Sequence, residues 1–186
     1  VSKWGQLKPV AIVEPIQLRD ITLKRATAHN AVYVEKNKLG PGAVIRVVRS
    51  KDVIPYIVSI VKPAKEPQMP SIAYEWDKNH VNIVVSKGQE DDKKTKSTMC
   101  VKLIANFFNK LGIKHVSDST VAKMYDYGLD NLFKILEAKP STFAKIPSFP
   151  AERTYTNMHE GLKKGIKIPT ALGASGIFGF GIGERR

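Results

Sequence analysis

Residues 62–70 read Lys62-Pro63-Ala64-Lys65-Glu66-Pro67-Gln68-Met69-Pro70, and three prolines in nine residues let neither a helix nor a paired strand run through. The segment is expected to be extended and irregular. It separates two kinds of pattern. Before it, short β-branched runs bounded by Pro, Gly or Asp predict strands at residues 10–13, 21–24, 43–48 and 57–61. Beyond residue 98, apolar side chains recur at helical spacing: Val101, Ile104, Phe107 or Phe108, and Leu111. A β unit followed by an α unit is the organisation this break imposes.

In the first block, residues 29–36 predict a short helix with Ala31, Val32 and Val34 on its inner side, and residues 37–42 a turn. Four or five strands and one helix in about 65 residues fit an OB-type barrel; an SH3-like barrel fits the pattern nearly as well. Residues 73–76 and 81–85 predict a hairpin around Asp77-Lys78-Asn79. Residues 88–97 are wholly polar or Gly and are expected to form a flexible loop.

In the second block the first helix ends at Gly112, and Ser117 or Asp118 caps a second that carries Val121, Ala122, Met124 and Tyr125 and ends at Gly128. Residues 131–138 and 141–146 are further short helices, and Pro150 suits the first position of another, with Glu152 near its positive end and Lys163-Lys164-Gly165 at its close. Five or six short helices are expected, with the Phe and Met stripe as core.

The net charge is +13 and the pI about 9.8. It is uneven: residues 1–65 carry +8, residues 66–97 carry −1, and residues 98–186 carry +6. Two basic blocks flanking a near-neutral bridge point to a polyanion that touches both. A hydrophobic content of 42% excludes a disordered tail, and no apolar run reaches the roughly 18 residues of a membrane span. The opening Val1-Ser2-Lys3-Trp4 has no signal-peptide core, so export is not expected. One cysteine, Cys100, excludes an internal disulfide and a Cys-rich zinc site. Two connectors, Ile146-Pro147-Ser148-Phe149-Pro150 and the glycine-rich 175–183, are candidates for presenting backbone N–H groups to phosphate.

Three stretches then carry a resemblance. Leu7-Lys8-Pro9-Val10-Ala11-Ile12-Val13-Glu14-Pro15-Ile16 is followed by Lys24-Arg25-Ala26-Thr27-Ala28-His29-Asn30. Next comes Pro41-Gly42-Ala43-Val44-Ile45-Arg46-Val47-Val48-Arg49-Ser50-Lys51-Asp52-Val53-Ile54-Pro55. In order and spacing these resemble the OB domain of NAD-dependent DNA ligases. The segment from Leu103 onward resembles the same family's helix-hairpin-helix domain. The resemblance implies a multi-domain chain, β then α: an OB-fold β-barrel at 1–65, a small β-hairpin bridge and linker at 66–97, and an all-α helix-hairpin-helix domain at 98–186, truncated at its end. It implies a clamp on duplex DNA, nicked or not, by a monomer located inside the cell with the DNA and encoded by a virus or phage. Such ligases form phosphodiester bonds between 3′-hydroxyl and 5′-phosphate ends, using NAD and Mg.

The implied DNA-binding residues are Lys3, Trp4, Lys24, Arg25, Arg49, Lys51, Gly176, Gly179, Gly181 and Gly183. Arg49, Val53 and Ile54 match family positions implicated in ligation; Val53 and Ile54 read more readily as core than as contact. Lys3-Trp4-Gly5 falls where many members have Arg-Thr-Gly, and Lys lacks the planar fork of Arg. Trp4 either stacks on a base or sugar or plugs the barrel. His29 reads as a hydrogen-bonded structural residue. Departures are specific. Ser148-Phe149-Pro150 replaces a Gly-Phe-Gly connector, and Pro150 has no N–H to offer phosphate. Met69-Pro70 leads in to no four-Cys zinc module, so no zinc is expected and the hairpin stands in its place. No K-x-D-G nucleotidyl-transfer motif occurs. No catalytic residue and no bound NAD are therefore expected in this chain, which reads as an inactive fragment of a ligase. Two other readings stay open: a stand-alone DNA-junction-binding protein with OB and helix-hairpin-helix modules, and an RNA- or ribosome-binding OB protein.

Overall fold

The structure, a computed structural model, describes residues 1–18, 21–50, 54–88 and 92–179. It forms two compact units, one of residues 5–90 and one of residues 1–4 with 91–186.

In the first unit, β2 (Val10–Leu18), β3 (Ile21–Thr27), β4 (Val44–Ser50) and β5 (Ile54–Lys62) make a four-stranded sheet in the order β2-β3-β5-β4. Pairing is antiparallel except between β3 and β5, which meet in parallel at Thr27 and Tyr56. Register shifts lie between Ile12 and Ile16 and at two points along β4, and such irregularities bend a sheet. The inward residues Ala26, Ala28 and Ile57 pack with Val34 and Leu39, and Ala11, Ala43, Ile45, Val47 and Ile60 close around them. Helix α1 (Ala31–Lys36) supplies Val34. It starts two residues later than expected, because Asn30 is the N-cap, its Oδ1 accepting from Tyr33 N at 2.9 Å. His29 sits before the cap at φ +57, and its Nε2 lies 2.7 Å from the Ile57 carbonyl oxygen.

From Pro63 to Pro70 the proline-rich segment forms no regular element, and backbone bonds hold it to the turn before β4: Ala64 N to Lys38 O at 3.0 Å and Gln68 N to Leu39 O at 2.8 Å. The hairpin strands are β6 (Tyr74–Trp76) and β7 (Ile83–Val85), and β7 also pairs with β1 (Gln6–Leu7), giving a three-stranded sheet β1-β7-β6. Its turn is fastened by Asp77, whose carboxylate accepts from Val81 N and Asn82 Nδ2, each at 2.9 Å. Those donors hold the Asp77 carboxyl below the ordinary Asp range. Trp76 stacks on His80 at 4.1 Å, and Ile83 and Val85 are buried.

The second unit contains α2 (Lys93–Lys110), α3 (Asp118–Asp126), α4 (Leu132–Glu137), α5 (Pro140–Phe143), α6 (Ala151–Lys163) and α7 (Ile168–Ser175). The expectation of a flexible loop through residue 97 is corrected. Asp92 caps α2 by accepting from Thr95 N at 3.0 Å, so Lys93 to Ser97 are its first turn and a half. The polar run there opens a helix, with Lys93, Lys94 and Lys96 exposed and Thr95 buried. Pro150 is the N-cap of α6, so the helix starts at Ala151, one place later than expected. Helix α7, with a proline in its first turn, has no counterpart among the expected helices. The core gathers Phe108, Val121, Met124, Ile135, Phe143 and Met158, each at most 1% exposed.

Candidate nucleic-acid interface

The β unit turns an unusual face outward. Alternation along β4 puts Ala43, Ile45 and Val47 inside and leaves Val44, Arg46 and Val48 exposed. On β2 the outward residues include Val10, Ile12 and Ile16, and on β5 Val58 and Val61; Ile12 is 81% exposed. Arg25 lies directly across from Ile12, and Lys24 beside it is also exposed, because the register shift in this strand pair breaks strict alternation. Aliphatic side chains interspersed with Lys24, Arg25 and Arg46 suit a partner with apolar edges and a charged backbone. Arg49 lies on β4 opposite Pro55. Lys51, Asp52 and Val53 lie outside the described residues.

In the helical unit, three connectors bear on phosphate binding: two join helices and one follows α7. Residues 111–117, between α2 and α3, form a tight turn with Gly112 at φ +71 and His115 at φ +65. Ile113 N closes on Phe108 O at 2.9 Å, Ile113 and Val116 are buried, and Lys114 and His115 face out. Ser117 then caps α3, accepting from Thr120 N. Sequence reasoning took Gly112 only as a helix stop and missed this hairpin; the signal was a Gly followed by buried Ile and Val flanking two polar residues. Arg153 of α6 lies 2.7 Å from His115 Nε2, tying the hairpin to that helix.

The connector at Ile146 to Pro150 has Ser148 at φ +50, and Lys123 Nζ donates to its carbonyl oxygen at 2.6 Å. The residue thus adopts a glycine-like backbone despite its Cβ. Ala151 N already bonds Phe149 O at 2.9 Å, and Pro150 has no N–H, so two backbone groups at this turn are not available to an anion.

At the third connector Gly176 is the left-handed C-cap of α7, at φ +70. A Cβ there would lie 2.8 Å from both Trp4 Cη2 and Leu103 Cδ1. Gly176 therefore serves packing, and Trp4 lies against the end of α7 in the helical unit instead of plugging the barrel. Lys3 Nζ is 5.5 Å from the Trp4 ring centroid. Gly179 N donates to Gly176 O at 2.9 Å, and Gly181 and Gly183 lie outside the described residues. Among the described residues no three His, Cys, Asp or Glu side chains group as metal ligands, and no helix is long and apolar enough to cross a membrane.

Comparison with known proteins gives this geometry its context. Residues 1–69 match the model of the NAD-dependent DNA ligase OB-fold domain, which decides between the two barrel types. The whole chain is 37% identical to a DNA ligase of Acanthamoeba polyphaga mimivirus, covering 29% of that protein. A DNA ligase of Psychromonas ingrahamii is 31% identical over 87% of the chain, and one of Desulfotalea psychrophila 30% identical over 98%. The chain spans less than a third of the length of these relatives, 29%, 24% and 28% respectively. Residues 1–69 are thus an OB-fold domain of the NAD-dependent DNA ligase family, and the chain is a fragment of a protein of that family.

Proposed function

We propose that this chain is the DNA-clamping part of an NAD-dependent DNA ligase that seals nicks in duplex DNA, joining 3′-hydroxyl to 5′-phosphate ends. The observation that carries the reading is the alignment of the full chain with 29% of the length of a protein named DNA ligase, together with a net charge of +13. The OB domain of residues 1–65 and the helical part, residues 98–186, act as two backbone-binding bodies joined by the hairpin bridge of residues 66–97. The helical part works as a helix-hairpin-helix domain whose connectors meet phosphate without reading bases. Lys24, Arg25, Arg49 and Lys51 supply charge on the barrel, and Lys3, Trp4, Gly176, Gly179, Gly181 and Gly183 belong to the helical contact. The protein acts as a monomer.

The whole ligase uses NAD and Mg, and this chain's residues do not fit the NAD chemistry: no K-x-D-G lysine is present to take up AMP. Nucleotidyl transfer therefore belongs to another part of the protein. Nor do the residues fit the family's four-thiolate zinc set, since Cys100 is the one cysteine. What remains for the residues here is binding and orientation of the duplex. The test is fluorescence anisotropy with a labelled nicked duplex over a salt series. Affinity should fall by about a thousandfold or more between roughly 50 and 200 mM salt if six or more phosphates are neutralised. Affinity that is flat with salt, or absent, overturns the reading.

A further inference from the structure

The N-terminal strap and helix α2 bring Lys3 to the same helix as Lys102 and Lys110, two lysines that no sequence motif announced. Lys102 Nζ donates to the Val1 carbonyl oxygen, which fixes the strap along α2. Two residues on, Lys3 Nζ is held over the Trp4 ring, at a separation where a cation is attracted by the aromatic face. Trp4 lies so close to Gly176 that a Cβ there would come within 2.8 Å of its ring, and within the same distance of Leu103. Lys110, eight residues beyond Lys102, is roughly 12 Å further along α2 at the helical rise of 1.5 Å per residue. Among the described residues, no carboxylate lies within 4.0 Å of Lys3, Lys102 or Lys110.

We infer that Lys3, Lys102 and Lys110 form one binding site for backbone phosphates of duplex DNA, held in shape by Trp4. Three like charges gathered without a counter-ion repel one another, and an anion between them relieves that repulsion. Burial and the neighbouring Lys110 ammonium push the Lys3 amine below its ordinary range, in the direction such crowding produces. Lys102 gives one of its three N–H donors to Val1 and keeps two for a ligand. A duplex carries one negative charge per roughly 1.7 Å of axis, so lysines whose backbones are roughly 12 Å apart along α2 can reach more than one phosphate. This site is distinct from the helix connectors, because its donors are side chains on a strap and a helix flank. The inference rests on the DNA-clamping reading above.

The experiment compares salt slopes of duplex binding for the 186-residue chain and its variants. Lys3→Gln/Lys110→Gln leaves the Lys102 bond to the strap intact, and adding Lys102→Gln completes the set. Lys163→Gln/Lys164→Gln removes two charges at the end of α6 as the control. Circular dichroism establishes that each variant is folded. The double variant should lower the slope of log affinity against log salt by about 1.8, so that the fall in affinity between roughly 50 and 200 mM salt shrinks about tenfold. The triple variant should lower the slope further, and the control by less than half as much as the double. Equal slopes for the double variant and the control overturn the site while leaving the clamp in place. Absence of duplex binding by the unaltered chain overturns both.

Discussion

A Cβ on Gly161 would lie 2.6 Å from Ile113 Cγ1, so α6 and the α2–α3 hairpin meet where only a hydrogen atom fits. Gly161 is in the interior of α6, where Ala normally stabilises a helix by about 1 kcal/mol. Here overpacking against a side chain that is 5% exposed opposes that gain, at about 1–3 kcal/mol. Gly161→Ala should therefore lower stability by about 1 kcal/mol in urea denaturation. In an Ile113→Ala background the same change should become neutral or stabilising. A stabilising effect in the unaltered protein would show that the two elements do not touch as described.

Gly176 and Gly179 separate packing from backbone conformation. Both have positive φ, +70 and +79, but a Cβ on Gly179 meets nothing within 4 Å, whereas one on Gly176 meets Trp4 and Leu103 at 2.8 Å. Gly179→Ala should cost only the left-handed backbone penalty, about 1–2 kcal/mol. Gly176→Ala should cost at least about 1 kcal/mol more, and should shift the emission of Trp4 when read in a Trp76→Phe background. Equal costs with unchanged emission would refute this close approach.

The Asp77 carboxylate gives the hairpin an acid limit. Its pKa is held below the Asp value of 3.8 by the Val81 N–H and the Asn82 side chain. A depressed carboxyl contributes stability that is fully present above the unfolded value and is lost as pH falls through the folded one. Trp76 fluorescence, read in a Trp4→Phe background, should change with a midpoint below pH 3.8, and Asp77→Asn should abolish that transition. A midpoint above 3.8 contradicts the assignment.

Elemental analysis of untagged, chelator-washed protein should find no stoichiometric zinc. A tetrahedral structural site needs four thiolate or imidazole ligands, and the chain offers Cys100 and four histidines spread from position 29 to position 159. One zinc per chain would overturn this.

Much of the fold is legible in the amino-acid pattern. The β-branched runs at 10–13, 43–48 and 57–61 lie within β2, β5 and, bar Ala43, β4, because alternation against a buried core is written in the chain itself. The hairpin at 73–85 is legible from the same alternation. The start of α2 is not, since a run of Lys, Thr and Ser is compatible with loop or solvated helix and only the Asp92 cap decides. Helix α7 is short and apolar, with Pro169 near its start, and local pattern does not separate such a stretch from a connector.

The β-then-α order, the break at three prolines, the two basic blocks and the three motif stretches that mark an OB domain of NAD-dependent ligases all follow from the chain as written. These are local or additive properties: period, composition and net charge need no knowledge of which residues meet. Three-dimensional packing was needed to establish that Trp4 lies against Gly176, that β1 pairs with β7, and that Lys102 holds the N-terminal strap at Val1. Each of these joins residues about 75 to 170 positions apart. Their closure is driven by burial of apolar surface, which is non-directional and leaves no spacing rule in the chain.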